Sequence, residues 1–115
     1  MYKCVLLVRT DLKMSCGKIA AQCGHGIAQT MKGSNKKIIR EWMKTGEKIV
    51  VLQCPDLDTM INYKKKANKL GMFAKIIYDA GHTEVDPDTP TICVLGPFDE
   101  DIITSLTGRL QLLKD

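Results

Sequence analysis

The chain has 115 residues, 44% apolar and 26% charged, and its 17 Lys and Arg outnumber 13 Asp and Glu for a net charge of +4. That length suits one domain with a sizeable core, since a chain of roughly 100 residues hides about two thirds of its unfolded surface, and the composition sits at globular averages and argues against disorder. The first apolar run, Cys4 to Val8, is too short for a secretory or membrane-spanning segment, so one soluble domain over residues 1–115 with no membrane partner is expected.

From the N-terminus, KCVLLVRT (Lys3 to Thr10) is a near-continuous apolar run, as expected of a strand buried on both faces. The loop DLKMSCG leads into a helix from about Gly17 to Lys32, with Ser15 or Cys16 near its N-cap. After the break GSN, KKIIREWMKT reads as a second helix ended by Gly46, and Glu47 to Cys54 as a second strand closed by Pro55. A third helix follows, capped by Asp56 and stopped by Gly71, and then a third strand, Phe73 to Asp79. Residues 80–90 are a Gly, Asp, Thr and Pro loop with no room for a crossover helix. Thr91 to Pro97 forms a fourth strand, and a short last helix starts near Asp99.

Helices separate the first three strands, so those should run parallel through right-handed crossovers, with the fourth antiparallel after its short loop. The expected fold is α/β: a three-layer α/β/α sandwich around a mixed four-stranded sheet, three parallel strands plus one antiparallel. Ligands of such sheets collect beyond the carboxyl ends of the parallel strands, where helix N-termini also point. That edge would gather the loop Thr10 to Gly17, the start of the first helix, and Asp79.

Charge is unevenly spread. Residues 1–78 hold 15 basic and 5 acidic residues, a balance of +10, whereas residues 79–115 balance to −6. A basic body fits a polyanion such as RNA, and it equally fits a solvated lysine-rich surface. The five cysteines Cys4, Cys16, Cys23, Cys54 and Cys93 form no close pairs and suit a reducing compartment in which thiols act as small hydrophobes.

SCGKIAAQCGHG, residues 15–26, raises several chemistries. At about 100° per residue, Lys18, Gln22, His25 and Gln29 form one polar stripe, while Ile19, Ala20, Cys23, Ile27 and Met31 take the opposite, buried side. A solvated helix face is the plain reading, although such faces usually carry Glu and this stripe carries none. A P-loop is excluded, because Leu12 and Ile19 stand where glycine and Ser or Thr are required. Gln29 replaces the third glycine of a dinucleotide fingerprint. Zinc is disfavoured, since there is no C-x2-C pair and Cys23 points away from His25 on the wheel. The second constellation, DAGHTE from Asp79 to Glu84, follows a strand directly and reads either as a substrate loop or as an Asx-type turn.

GKIAAQCGHG from Gly17, DAGHTE from Asp79 and LGPFDEDIITSLTGRLQLL from Leu95 together resemble the type II peptidyl-tRNA hydrolases of archaea and eukaryotes, in order and spacing over nearly the entire chain. The resemblance implies hydrolysis of the ester joining a peptide to the 3′ end of tRNA, with peptidyl-tRNA as partner. It also implies a compact α/β/α domain, usually a homodimer, using neither metal nor organic cofactor, and a cytoplasmic location with which mitochondrial association is compatible. Residue by residue, the family's helix lysine falls on Lys18, its glutamine on Gln22, its histidine on His25, its loop aspartate on Asp79 and its loop threonine on Thr83. The chain departs at His82 and Glu84, where the family commonly has Arg and Gln.

Ester hydrolysis requires an activated water, an oxyanion stabiliser and a proton for the leaving ribose hydroxyl. Lys18 at a helix N-terminus suits the oxyanion or a nearby phosphate. Asp79 suits orienting Lys18 better than acting as base, because an aspartate at the usual pKa of about 4 is weak at neutral pH. Gln22 and Thr83 offer hydrogen bonds to ester, water or adenosine, and His25, about 10 Å further along the helix, suits support. Phosphate contacts are expected from Lys13, Lys32, Lys36, Lys37, Arg40, Lys64, Lys65 and Lys66. Trp42 is expected in packing. A tRNA- or protein-binding adaptor with little turnover is the competing expectation.

Overall fold

The computed structural model describes residues 1–81 and 85–114. Each strand and helix expected from pattern is present: β1 (Tyr2–Arg9), α1 (Cys16–Gly33), α2 (Lys36–Lys44), β2 (Ile49–Cys54), α3 (Leu57–Lys69), β3 (Ala74–Tyr78), β4 (Pro90–Asp99) and α4 (Glu100–Thr107). Every helix starts on a side-chain cap that satisfies otherwise orphaned backbone N–H groups. Ser15 accepts from the Lys18 amide, Asn35 from Lys37 and Ile38, Asp56 from Thr59, and Asp99 from Ile102.

The four strands form one mixed sheet in the order β2-β1-β4-β3. β1 pairs with β2 in parallel and with β4 antiparallel, and β3 pairs with β4 antiparallel. The mixed sheet was expected, but the ladder count differs: β3 shares the direction of β1 and β2, yet it is a parallel neighbour of neither, because β4 is inserted between β1 and β3. A short hairpin places β4 beside β3, and nothing local in the sequence says which side of β3 the next strand takes.

Alternation with period two divides the core. Cys4, Leu6, Val8, Ile92 and Val94 pack with Ile39 and Trp42 beneath α1 and α2. Val5, Leu7, Cys93 and Leu95 pack with Met60, Ala67 and Ile103 beneath α3 and α4. β1 is thus buried on both faces, and the molecule is the three-layer sandwich. Trp42 lies in the core with its indole N–H donating to Lys48 O at 2.9 Å. Burial pushes the Cys4 and Cys93 thiols up to about 12 against ordinary values near 9, so both are small neutral hydrophobes.

The buried face of α1 is rotated from the one the helical wheel suggests, although Ile19, Cys23 and Ile27 of that face do pack, partly buried, against the core. Gln22, Gly26 and Thr30 are its fully buried residues, whereas Ala20 and Met31 are exposed. The rotation follows from two polar side chains that cross to β4: Gln22 Nε2 donates to Thr91 Oγ1 at 3.0 Å, and Thr30 Oγ1 donates to Gly96 O at 2.9 Å. Between them Gly26 lies against the sheet, where a Cβ would meet Ile92 Cδ1 at 2.8 Å and Leu6 Cδ2 at 3.0 Å. Gly96 has φ 88, and a Cβ there would sit 2.9 Å from the Phe98 amide nitrogen, so this position in the cis Gly96-Pro97 segment needs glycine.

Candidate active site

β1 and β3 both end at the edge of the sheet where α1 begins. Lys18 lies in the first turn of α1, its amide capped by Ser15 Oγ at 3.2 Å. Its side chain turns toward the sheet, and Nζ donates to Asp79 Oδ1, forming an ion pair whose side chains are 10% and 3% exposed. The two motifs that stood 61 residues apart in sequence thus meet in one buried contact.

Asp79 is held in place through its backbone. Its N–H donates to Thr89 O at 2.8 Å, and its carbonyl accepts from Asp88 N at 2.5 Å, so the returning limb of the β3–β4 loop brackets it. Thr89 Oγ1 in turn donates to Asp86 O at 2.7 Å, tightening that limb. Gln22, one turn beyond Lys18, is buried, and its Thr91 partner donates onward to Ile77 O at 3.1 Å. Lys18 and Gln22 are therefore both tethered to the β3–β4 hairpin, one at the base of its loop and one at its first rungs.

The residues expected in the site divide. Lys18, Gln22 and Asp79 come together. His25 is on the exposed side of α1, lining a groove of about 190 Å³ with Gln29, Lys75 and Tyr78. Thr83, His82 and Glu84 lie outside the described residues. Among the basic candidates, Lys13 is exposed in the β1–α1 loop, at positive φ of 53. Lys32, Lys36, Lys37 and Arg40 are exposed on the α1 and α2 layer, while Lys65 and Lys66 are exposed and Lys64 half-buried on α3, across the sheet. Among the described residues, no three His, Cys, Asp or Glu side chains converge where they could hold a metal ion.

Two contributors went unseen in the sequence. Thr91 looks like any β-branched strand residue, and no spacing marks it as the acceptor for Gln22. Arg9, at the end of β1, forks onto Asp11 with Nε–Oδ1 at 3.1 Å and Nη2–Oδ2 at 2.7 Å, and its third nitrogen donates to Pro90 O at 2.9 Å. This clamp ties the start of the β1–α1 loop to the start of β4. An Arg-x-Asp pair directly after an apolar strand was the available signal.

Chemically, the site offers one ammonium group at the positive end of a helix, fixed by a buried carboxylate, at the sheet edge where ligands of α/β folds bind. Such a group stabilises negative charge that develops on a substrate oxygen.

A family model described as peptidyl-tRNA hydrolase PTH2 matches residues 2–113. A mouse protein named peptidyl-tRNA hydrolase 2, mitochondrial, is 40% identical over 114 residues, covering 96% of this chain and 63% of that protein. Proteins named peptidyl-tRNA hydrolase from Thermoplasma volcanium and Methanopyrus kandleri are 42% and 40% identical, covering 96% and 99% of this chain and 97% and 100% of theirs. The chain spans less than two thirds of the length of the mouse, bovine and human relatives, and nearly all of the archaeal ones.

Proposed function

We propose, from the premise that the chain belongs to the peptidyl-tRNA hydrolase PTH2 family, that it hydrolyses the ester between the peptide and the 3′ end of tRNA in peptidyl-tRNA and so recycles tRNA for translation. The observation that carries this reading is the buried pair of Lys18 and Asp79, which joins the two motifs at the ligand-binding edge of the sheet.

In this reaction the oxygen of a water molecule bonds to the ester carbonyl carbon, and the carbonyl electrons move onto oxygen. The carbonyl then re-forms as the carbon–ribose oxygen bond breaks; of the two protons the water gives up, one ends on the ribose oxygen and the other passes to solvent. The products are a peptide carboxylate and a tRNA with a free hydroxyl. Lys18 faces the developing oxyanion, adding its charge to that of the α1 N-terminus. Asp79 holds the lysine in place and keeps its donors aimed at one spot. Gln22 is a positioning residue, since its amide nitrogen is engaged by Thr91. Thr83 supplies a hydrogen bond to the ester, the water or the terminal adenosine, and His25 gives support from the exposed face of α1.

Phosphates of the tRNA would be met by Lys13, Lys32, Lys36, Lys37, Arg40, Lys64, Lys65 and Lys66. The reaction as written calls for no metal or organic cofactor. The active form in this proposal is a homodimer, and the place of action is the cytoplasm; the mammalian relatives are named mitochondrial, with which an association at mitochondria is compatible.

The test is release of an N-acetylated amino acid from charged tRNA by the full chain. Lys18→Ala should slow it by about 10²-fold or more, and Asp79→Asn should also slow it. Wild-type rates in both variants would sink the assignment of these residues. Salt-dependent tRNA binding without any cleavage by the unmutated protein would instead favour the adaptor reading.

A further inference from the structure

The two edges of the sheet are treated differently. Along β2 the C-terminal segment completes the edge: Gln53 N donates to Gln111 O at 2.8 Å, Leu113 N to Val51 O at 2.9 Å, and Leu112 bridges to Leu52. β3, at the other end of the sheet order, pairs with β4 alone among the described strands. It is only five residues long and carries Lys75 in its exposed stretch, features that discourage pairing with another strand.

A groove flanks β3 on each side. The one beside α1, about 190 Å³, is lined by His25, Gln29, Lys75, Ile76, Ile77 and Tyr78. The one beside α3, about 400 Å³, adds Ile61, Lys64 and Lys65 to Lys75, Ile76 and Tyr78. Among the described residues neither has an acid in its lining. Lys75 Nζ donates to Gln29 Oε1 at 2.9 Å, fixing the wall of the smaller groove. Tyr78 belongs to both linings and is 54% exposed, with its large ring at the surface. Its successor in the chain is Asp79, so the two Cα atoms lie about 3.8 Å apart.

An exposed aromatic ring, lysines on either side and apolar floor between them is the chemistry that holds a single strand of nucleic acid: bases stack on the ring and phosphates meet the ammonium groups. We infer that the β3 edge with its two grooves is the seat for the unpaired 3′ nucleotides of the RNA substrate, Tyr78 stacking on a base and Lys64, Lys65 and Lys75 taking phosphates. This rests on the function proposed above and deepens it. The strand ends one residue before Asp79, which holds Lys18, so an RNA strand lying along this edge would run on toward that pair. It also makes the β3 edge a specific reader of unpaired ends, distinct from the general basic surface on α1 and α2.

The probe is a fluorescent RNA minihelix with an unpaired 3′ tail, compared with the same minihelix made blunt. Tyr78→Ala should weaken binding of the tailed probe by about tenfold and leave the blunt probe unchanged, while Tyr78→Phe binds both as the unmutated chain does. Lys64→Ala, Lys65→Ala and Lys75→Ala combined should reduce the salt slope for the tailed probe by about 2, at roughly 0.7 per lost contact. Lys44→Ala, exposed on α2, should leave that slope unchanged. In hydrolysis of N-acetylaminoacyl-tRNA, Tyr78→Ala should raise KM by about tenfold with kcat nearly unchanged.

Unaltered tailed-probe binding by Tyr78→Ala, or equal loss of both probes, overturns the inference. So does conversion of a dimer to a monomer by Tyr78→Ala, seen in sedimentation, with tailed binding intact; β3 would then be an edge for a second copy. Tyr78-dependent tail binding without ester cleavage would leave this seat standing and overturn the hydrolase reading, whereas cleavage with a Tyr78-independent KM would overturn only the seat.

Discussion

Lys18 with Asp79 and Lys48 with Glu100 both join the first turn of a helix to an opposite charge from a distant part of the chain. The side chains of the first pair are 10% and 3% exposed, those of the second 48% and 30%. They also differ in sign. Glu100 opens α4 beside Asp101, so the carboxylates sit where the helix dipole favours them. Lys18 opens α1, whose first turn has no acid, so its ammonium group sits where the dipole disfavours it. The Glu100 pair is what stability alone would select. The Lys18 pair works against both burial and dipole, and a cation held in such a place is available to a substrate's negative charge.

The comparison breaks most visibly if the buried pair proves to be ordinary scaffolding. Lys18→Ala or Asp79→Ala should each cost about 3–5 kcal/mol in urea unfolding, because either leaves an uncompensated buried charge. The double variant Lys18→Met with Asp79→Leu should recover most of that stability, since apolar replacements of buried pairs are often neutral or stabilising by about 1–4 kcal/mol. Hydrolysis of N-acetylaminoacyl-tRNA should stay lost in it. A double variant that keeps activity, or one that remains as unstable as the singles, would remove the contrast between a functional and a structural pair.

A smaller effect is expected one layer out. Thr91→Val keeps the shape of the side chain but takes away the acceptor for Gln22 and the donor to Ile77 O. Leaving those buried groups unsatisfied should cost about 1–3 kcal/mol. Hydrolysis should fall less than in Lys18→Ala, because the ion pair itself persists. Loss of activity as deep as in the lysine variant would place Thr91 inside the reacting site and redraw its border.

The sequence exposed whatever is written locally. Each helix cap is a single polar residue before a periodic run, and Ser15, Asn35, Asp56 and Asp99 are such residues. β1 was legible because burial on both faces leaves a continuous apolar run. The meeting of Lys18 with Asp79 followed from where strands end in an α/β sheet. By contrast, the insertion of β4 between β1 and β3 depends on pairing between segments far apart, which no local pattern encodes. The true face of α1 was hidden for another reason. A wheel assigns polar residues to solvent, whereas Gln22 and Thr30 are buried because their partners, Thr91 and Gly96 O, wait on the sheet.

The smallest effect belongs to Lys48 and Glu100, and its pH dependence separates that pair from the buried one. The hydrogen bond from Lys48 is the main reason the Glu100 carboxyl is held below the ordinary glutamate range. A depressed carboxyl contributes stability that is present above its unfolded pKa and lost as pH falls through the folded one. Glu100→Gln should therefore lower the urea midpoint slightly at neutral pH, and the difference should begin to shrink near about pH 4, where an unperturbed glutamate takes up its proton, and vanish at more acid pH once the folded carboxyl is protonated as well. About 1 M salt should erase it at neutral pH as well, since the screening length is then only about 3 Å. The midpoints of both proteins at neutral and acid pH, each at low and high salt, decide the matter. A difference that survives acid and salt would mean that Glu100 acts through packing, and the surface pair would no longer serve as the solvated counterpart of Lys18 and Asp79.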